Sequence, residues 1–582
     1  MTGIERVAAL QFPLQADFRM PGSKSHANRA IICACLAEGR TVIRNATPCD
    51  DVAVMVKNLQ LMGFRLRWTD LSAGELTIDG GLPEAKNTKT FLDCHNAGTT
   101  LRFLVSLACV LPGEWVLTGD EHMRRRPISD LVAALRLLGA DISDTAGCPP
   151  VTIIGGRTLL DAVRMKADVS SQYLTSLLLI APMLPSGLTV ELEGTLASSG
   201  YIDLTEKTMK DFGVCIERKN SIFIVRHGAY RPVASYDIEG DWSAAGAWLV
   251  LGLLSGSRFD FMNLSPISEQ ADSRLPGVLK SLMAAGDKTV DVTELPDQLM
   301  NLALFAAFCK GKTVFTGAAN LRRKECDRLA VITSELGKGG VAITEQPDGV
   351  TVQGGDVRIT RSVTLDPHMD HRMAMCFAVL GLLRGNISVK DPDCVAKSYP
   401  DFFREVQAVR SQSRPIAIVG MRGAGKSNLA RRLASRIELQ CVDVDKAIEA
   451  AHGPIKEFVA VQGWPAFRAI EEQMVETLLK PGTVVSLGGG ATESAKTRLL
   501  LKKKAVVIWI QASKEELIKR LESGKRPSIT GLPLAEEVQK LMEDRGPHYR
   551  EVAHASIASS VPFSRQVPTA VKSLQAMVRP SF

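Results

Sequence analysis

Two short stretches place cations and small residues where anions bind. GMRGAGKS (420–427) satisfies GxxxxGK[ST], between the strand-like PIAIV and the helix-like run that follows. Such a loop cradles phosphates on backbone N–H groups. Gly423, Ala424, Gly425, Lys426, Ser427 and Asn428 would provide the cradle. Lys426 would reach the β- and γ-phosphates, and the Ser427 hydroxyl would ligate Mg²⁺. PGSKSHANR (21–29) is different: it lacks the Gly four residues ahead of Gly-Lys, and its Lys24 lies between two serines. It offers Lys24, Ser25 and Arg29 at the start of an apolar helix, an anion site of another kind. Further candidates follow the phosphate loop. CVDVDKAIE carries Asp443 and Asp445, two apart and so on one face of a strand end. GWPAFRAIEE carries Arg468 and Glu471 at helical i,i+3 spacing. VVSLGGGA ends a strand in Gly488, Gly489 and Gly490, where backbone can close on a ligand.

The elements that position these groups form a repeat. Six apolar runs each end at Gly or Pro-Ser-Gly and lead into a short β-rich run: RAIICACLAEGRTVIRNA, FLVSLACVLPGEWVLTGD, SLLLIAPMLPSGLTVELEG, AWLVLGLLSGSRFDFMNL, LALFAAFCKGKTVFTGAA and MAMCFAVLGLLRGNISVKD. Amphipathic segments such as VMVKNLQLMG and LVAALRLLG lie between them. The copies recur at roughly 55–75 residues. Each unit therefore reads as a buried helix, a strand, a solvent-facing helix and a strand, and six of them over about 400 residues suggest two lobes of three. Lys, Arg, Asp and Ser cluster at the starts of the buried helices and after the strands. Helix N-termini carry unpaired N–H groups, so several brought together with cations would form an anion pocket between lobes.

The bulk composition narrows the class. The chain has 582 residues, net charge +7 and 45% hydrophobic residues, which predicts several globular domains. No long basic block is present, so small anionic substrates fit better than nucleic acid. The KKK run at 502–504 reads as a solvated helix end. The 12 cysteines include no CxxC pair, which argues against a zinc site and for a reducing cytosol. The start, MTGIERVAALQF, lacks a signal-peptide pattern. No apolar run reaches the roughly 18 residues of a membrane span.

PGSKSHANR, NAGTTLR, RRRPI, SSQY, RRKECDRL, DHRMAM and DCVAKSYPDFF, in this order over about 400 residues, resemble the 5-enolpyruvylshikimate-3-phosphate (EPSP) synthases. The resemblance implies an α/β fold of two lobes, each of three βαβαββ units, with the chain crossing between lobes near residues 20 and 238. It implies transfer of the enolpyruvyl group of phosphoenolpyruvate (PEP) to the 5-hydroxyl of shikimate 3-phosphate. By it, Lys24, Ser25, Arg29, Ser170, Ser171, Ser198, Tyr201, Asp297, Asn320 and Lys324 hold shikimate 3-phosphate. Lys24, Asn96, Gly98, Arg126, Gln172, Arg328, Arg372 and Lys397 surround PEP. Asp297 and Glu325, with Lys24 or Lys397, carry the proton transfers, and fixed cations replace any cofactor. His95 departs from the family, which usually has Gly there. The sister UDP-N-acetylglucosamine enolpyruvyl transferases normally carry a Cys in the loop matching GDEHMRRRP, and this chain has none.

The remaining stretch, with GKRPS and DRGPHYREVA added to the motifs above, resembles the shikimate kinases. That implies a P-loop kinase domain with a parallel sheet and a lid, like the nucleoside monophosphate kinases, phosphorylating the 3-hydroxyl of shikimate with ATP and Mg²⁺. Asp445, Arg468, Gly489, Gly490 and Arg545 would hold shikimate, with Asp445 accepting the hydroxyl proton. Ser427 and Asp443 would hold the metal, and Arg526 on the lid would neutralise the moving phosphoryl group. Ser528 stands where the family commonly has Leu. The expected organisation is a transferase domain over 1–410, a link over 411–414 and a kinase domain over 415–582. The pairing resembles part of the multifunctional AROM-type arrangement. The expected protein is a cytoplasmic bifunctional enzyme of chorismate biosynthesis acting on small molecules, with no nucleic-acid or membrane partner. The alternatives are a small-molecule kinase of other specificity, such as a gluconate kinase, or a catalytically silent nucleotide-binding regulatory module.

Overall fold

The computed structural model describes residues 3–10, 13–85, 88–166, 170–194, 199–355, 357–409, 414–437, 439–522 and 528–578. The six apolar runs are helices: Lys24–Leu36, Gly98–Val110, Ser171–Ile180, Trp242–Ser255, Leu299–Ala307 and His371–Arg384. Local chemistry sets their ends. Ser170, Asp241 and Asp370 cap three of them by accepting the N–H groups of Gln172, Ala244 and Arg372, as short oxygen-bearing side chains do at N-caps. Each helix leads into a strand, and a second helix follows.

In the first lobe three four-stranded sheets share one plan. Thr90–Asp93 runs parallel to Gly113–Thr118, which pairs antiparallel with Cys148–Gly155, itself antiparallel to Asp141–Thr145. Residues 162–225 repeat this arrangement. In the first unit the parallel edge strand, Ser235–Asp237, comes from the far end of the lobe and lies beside Gly39–Arg44. The second lobe has one such sheet, over 288–353. Its other two, among the described residues, are reduced. Gln15–Phe18 pairs with Arg258–Phe261, and Ile4–Val7 and Val363–Leu365 flank Ile387–Lys390. These units are therefore not all complete βαβαββ repeats. The N-terminal segment supplies a strand to each reduced sheet, and no hairpin follows the helix Leu275–Leu282.

Two adjacent segments join the lobes. Ser23 N–H donates to Glu239 O and Asp241 N–H to Pro21 O, both at 2.8 Å, around a bridge between Gly22 and Gly240. One core holds residues of 27–238; a second holds residues of 7–20 and 244–409 and runs on into the C-terminal region.

That region is a five-stranded parallel sheet in the order Gln440–Asp443, Thr483–Ser486, Ile416–Gly420, Val506–Gln511, Ala555–Ala558, with helices against it. Arg414 ties it to the second lobe: its N–H donates to Pro13 O at 3.0 Å, and its guanidinium to Ala505 O at 3.0 Å and Gly256 O at 3.4 Å. Arg258 reaches Lys503 O at 3.4 Å. The Lys502 and Lys503 side chains are exposed. The carbonyls that end this helix are held by arginines at a contact between regions.

Candidate active sites

Helix starts from both lobes converge on a cavity of about 440 Å³. Lys24, Ser25, Gly98, Arg126, Ser170, Ser171, Gln172, Tyr201, Asp297, Asn320, Lys324, Glu325, Arg328 and Arg372 line it together. Gly98 opens its helix directly beneath Arg126: a Cβ there would lie 3.0 Å from both terminal guanidinium nitrogens. Three expected residues stand outside the lining. Lys397 is buried, and its Nζ lies 2.6 Å from Asn96 O, across the lobes, and 3.4 Å from Glu325 Oε1. Asn96 Oδ1 accepts from Arg126 at 3.4 Å. Arg29, only 1% exposed, spends its guanidinium on Thr205 Oγ1 (2.8 Å), Ser25 O (2.7 Å) and Tyr201 O (3.1 Å). It fixes the backbone of two lining residues from behind. Ser198 lies outside the described residues.

Buried charge of both signs packs the walls. Arg328, 1% exposed, lies 2.6 Å from Asp297, 2.6 Å from Asp370 and 3.0 Å from Glu325. Arg372 lies 3.1 Å from Asp297, and Lys24 2.8 Å from Asp51. Burial pushes the Asp297 carboxyl up, but Arg372, Lys324 and Arg328 outweigh it and hold the pKa well below the usual carboxylate range. Glu325 is likewise pushed up by burial and held well below by Lys397, Arg328 and Arg126. Burial lowers Lys24, yet Asp51 and Glu325 together raise it, so it is an ammonium. Burial beside Lys24 and Arg372 drives His371 far down, leaving a neutral imidazole.

Several buried polar groups at the cavity lack a partner. Arg126 Nε, Asn320 Oδ1, Arg372 Nε and both ring nitrogens of His371 are buried without a hydrogen-bond partner among the described residues. Each such group costs about 1–3 kcal/mol unless a ligand or water meets it. Asp51, Arg102 and His371 also line the cavity and were not singled out from sequence. Arg102 and His371 lay inside quoted motifs, whereas Asp51 had no local signal. His95 takes φ +43°, a left-handed conformation in which Gly is easiest.

A second site lies at the C-terminal edge of the parallel sheet, where phosphate loops act. Gly423 (φ +85°) and Gly425 (φ +101°) shape the loop, and Gly425 starts the helix Lys426–Arg436. Lys426 Nζ lies 3.1 Å from Met421 O, across the loop. Ser427 Oγ is 3.3 Å from Ser486 Oγ. Asp443 and Asp445 are not both on the strand. The strand ends at Asp443, whose carboxylate accepts the Lys446 N–H at 3.3 Å and starts a helix, Val444–His452, placing Asp445 in its first turn. Arg468 lies 2.5 Å from Glu471, on a helix interrupted at Gly463. A Cβ on Gly490 would come within 2.0 Å of Arg468 Nη2, so glycine is required there for the guanidinium to lie across the loop. Arg545 is 1% exposed. Arg526 lies outside the described residues. Ser528 Oγ, Ile529 N–H and both Thr530 donors gather on Glu537 Oε2. The serine that departs from the family thus ties the segment after GKRP to the helix Leu534–Val552.

Residues 10–406 match the family model described as EPSP synthase (3-phosphoshikimate 1-carboxyvinyltransferase). The chain belongs to the EPSP synthase family. Residues 422–574 match the shikimate kinase model, so an EPSP synthase region is followed by a shikimate kinase region. Among relatives, the 3-phosphoshikimate 1-carboxyvinyltransferase of Shewanella woodyi is 35% identical over 417 residues, covering 68% of this chain and 97% of the relative. That of Methanoculleus marisnigri is 36% identical over 415 residues, covering 67% and 96%. The solved EPSP synthase of Acinetobacter baumannii shares the fold of the EPSP synthase region, with TM-score 0.59 at 24% identity over 70% of this chain and 98% of that one. Among the described residues no helix is long and apolar enough to cross a membrane, and no cluster of three His, Cys, Asp or Glu could hold a metal.

Proposed function

We propose that the two regions perform consecutive steps. The kinase region phosphorylates shikimate at its 3-hydroxyl, and the EPSP synthase region adds the enolpyruvyl group of PEP to the 5-hydroxyl of the product, releasing phosphate. The observation that carries this reading is a cavity of fixed cations and two ionised carboxylates in which Arg126 Nε, Arg372 Nε, Asn320 Oδ1 and the His371 ring are left without partners among the described residues. Two phosphates and a carboxylate are the ligands such a cavity suits.

Ser25, Ser170, Ser171, Tyr201, Asn320 and Lys324 hold shikimate 3-phosphate; Ser198 is assigned there by motif alone. Arg126, Gln172, Arg328 and Arg372 hold PEP, with Gly98 admitting it to the helix N-terminus and Lys397 fixing Asn96. Lys24 faces both substrates. Arg29 acts through Ser25 and Tyr201. One of the Asp297 and Glu325 carboxylates accepts the proton of the attacking hydroxyl, and Lys24 or Lys397 supplies the proton that the methylene carbon gains on addition and takes it back on elimination. Fixed charge stabilises the charged intermediate without a cofactor.

In the kinase region Gly423–Asn428 hold the ATP phosphates and Lys426 bridges them. The oxygen-bearing side chains of Ser427 and Asp443 would hold Mg²⁺. That ion neutralises phosphate charge when bound. Arg468 and Arg545 clamp the shikimate carboxylate, Gly489 and Gly490 close on the ring, and Asp445 accepts the hydroxyl proton. Arg526 is assigned to the lid by motif. Both regions work on small molecules in the cytoplasm.

One reaction vessel tests the whole: shikimate, ATP, Mg²⁺ and PEP with the full chain should yield EPSP. ADP release that ignores shikimate, or phosphate release from PEP that does not require shikimate 3-phosphate, sinks the corresponding half.

A further inference from the structure

The two arginines assigned to the substrate carboxylate already hold one. Arg545 Nε lies 2.6 Å from Glu493 Oε1, and Arg468 Nε lies 3.3 Å from Glu493 Oε2. Glu493 stands in the short helical turn Ala491–Glu493 that directly follows Gly489 and Gly490. We propose that Glu493 is an internal ligand of this arginine pair, occupying the place of the substrate carboxylate and swinging into solvent when that carboxylate binds. The proposal rests on the reading of Arg468 and Arg545 as the carboxylate clamp.

Three features support it. Arg545 is 1% exposed, and a buried guanidinium needs a counter-ion whenever the substrate is absent. Glu493 meets that need, yet its side chain is 39% exposed, so it can rotate into water. Glu471, the other acid on Arg468, is 2% exposed and has no such exit. Lastly, Glu493 spans the pair, with one carboxylate oxygen on each arginine. An incoming carboxylate therefore competes with a charge already in place, and small inorganic anions that bind less well than a carboxylate are kept out.

An internal competitor weakens the ligand it mimics. A charge-assisted contact of this kind makes the expected change in shikimate affinity on its removal about tenfold. The test is the shikimate KM in ADP release, measured on the full chain for wild type, Glu493→Ala and Glu493→Gln, with the ATP KM as control. The expected result is a shikimate KM lowered about tenfold in Glu493→Ala, less in Glu493→Gln, with the ATP KM unmoved, and sulfate becoming a stronger inhibitor competitive with shikimate. A shikimate KM that is unchanged or raised overturns the proposal, because Glu493 then only props the arginines. Should the variants fail to fold, a crystal structure of the wild-type chain with shikimate decides: Glu493 turned away from Arg545 supports the proposal, and a retained pair overturns it. Failure of the underlying reading shows separately, as wild-type ADP release indifferent to shikimate, and overturns both.

Discussion

Lys24→Met separates what the Lys24 ammonium does for the fold from what it does for the reaction. Its Nζ lies 2.8 Å from Asp51 Oδ2, with the two side chains 13% and 5% exposed. Removing one partner of a buried pair costs about 3–5 kcal/mol, because the other charge is left without its counter-ion. Lys397 remains 4.0 Å from Asp51 Oδ1, so the cost should fall near the lower end, about 3 kcal/mol. Asp51→Asn removes the stranded charge. The double variant Lys24→Met/Asp51→Asn should therefore be less destabilised than the two single changes added together, by about 1–3 kcal/mol. Native-state hydrogen exchange on the helices Lys24–Leu36 and Asp50–Met62 reads this locally, without assuming that the whole chain unfolds in one step. Enolpyruvyl transfer should be lost in both variants carrying Lys24→Met, while shikimate-dependent ADP release persists. Strict additivity of the exchange energies would refute the pairing argument. Transfer restored in the double variant would show that Lys24 serves only to neutralise Asp51.

Other expectations concern single groups. Burial, with Asp297 nearby, raises the Asp272 carboxyl to about 6 against the partial opposition of Arg372. In the folded state it holds its proton at a pH where the unfolded chain has lost it, so its ionisation erodes stability as pH rises from about 4 to about 6. Asp272→Asn should remove that decline, gaining stability over wild type across the window and holding the gain above it; a constant difference between pH 4 and 7 in urea titrations would contradict the assignment. Glu294, in the second lobe, accepts the Ser199 hydroxyl at 2.8 Å and the Gly200 N–H at 3.3 Å, at the start of a first-lobe helix. Glu294→Ala should loosen the lobes and raise both transferase KM values together by up to about tenfold, with the kinase KM values unmoved. A kinase change, or a rise confined to one transferase substrate, would show that the contact does not act through the lobes. His95→Gly should leave stability within about 1 kcal/mol of wild type or above it, because φ +43° favours glycine; a larger loss in urea unfolding would mean that the His95 side chain holds the loop.

The fold was legible where information is local. Apolar helices ending in glycine, with Asp241, Asp370 and Ser170 as caps, declare themselves within a dozen residues, and so does the phosphate loop. The sheet reductions in the second lobe were not, since they depend on where the N-terminal strands dock. Period-two spacing also misplaced Asp445, because it assumed that the strand continued; one side-chain bond from Asp443 to the next turn ended it. In the sites, motifs found the cations and some of their counter-ions, Asp297, Glu325 and Glu471, but not Asp51, Asp370 or Glu493. Lys397 meets Asn96 across 301 residues, and nothing near Asp51 in the chain marks it as the partner of Lys24. Those counter-ions are also where the two sites differ. In the transferase cavity the balancing acids Asp51, Asp297, Glu325 and Asp370 are at most 12% exposed and locked to cations, so a substrate must use the donors they leave unmet, such as Arg126 Nε and Arg372 Nε. In the kinase site one balancing acid, Glu493, has solvent beside it. Substrate binding there is an exchange of carboxylates rather than the filling of a vacancy, and its affinity is set as much by the acid that leaves as by the arginines that stay.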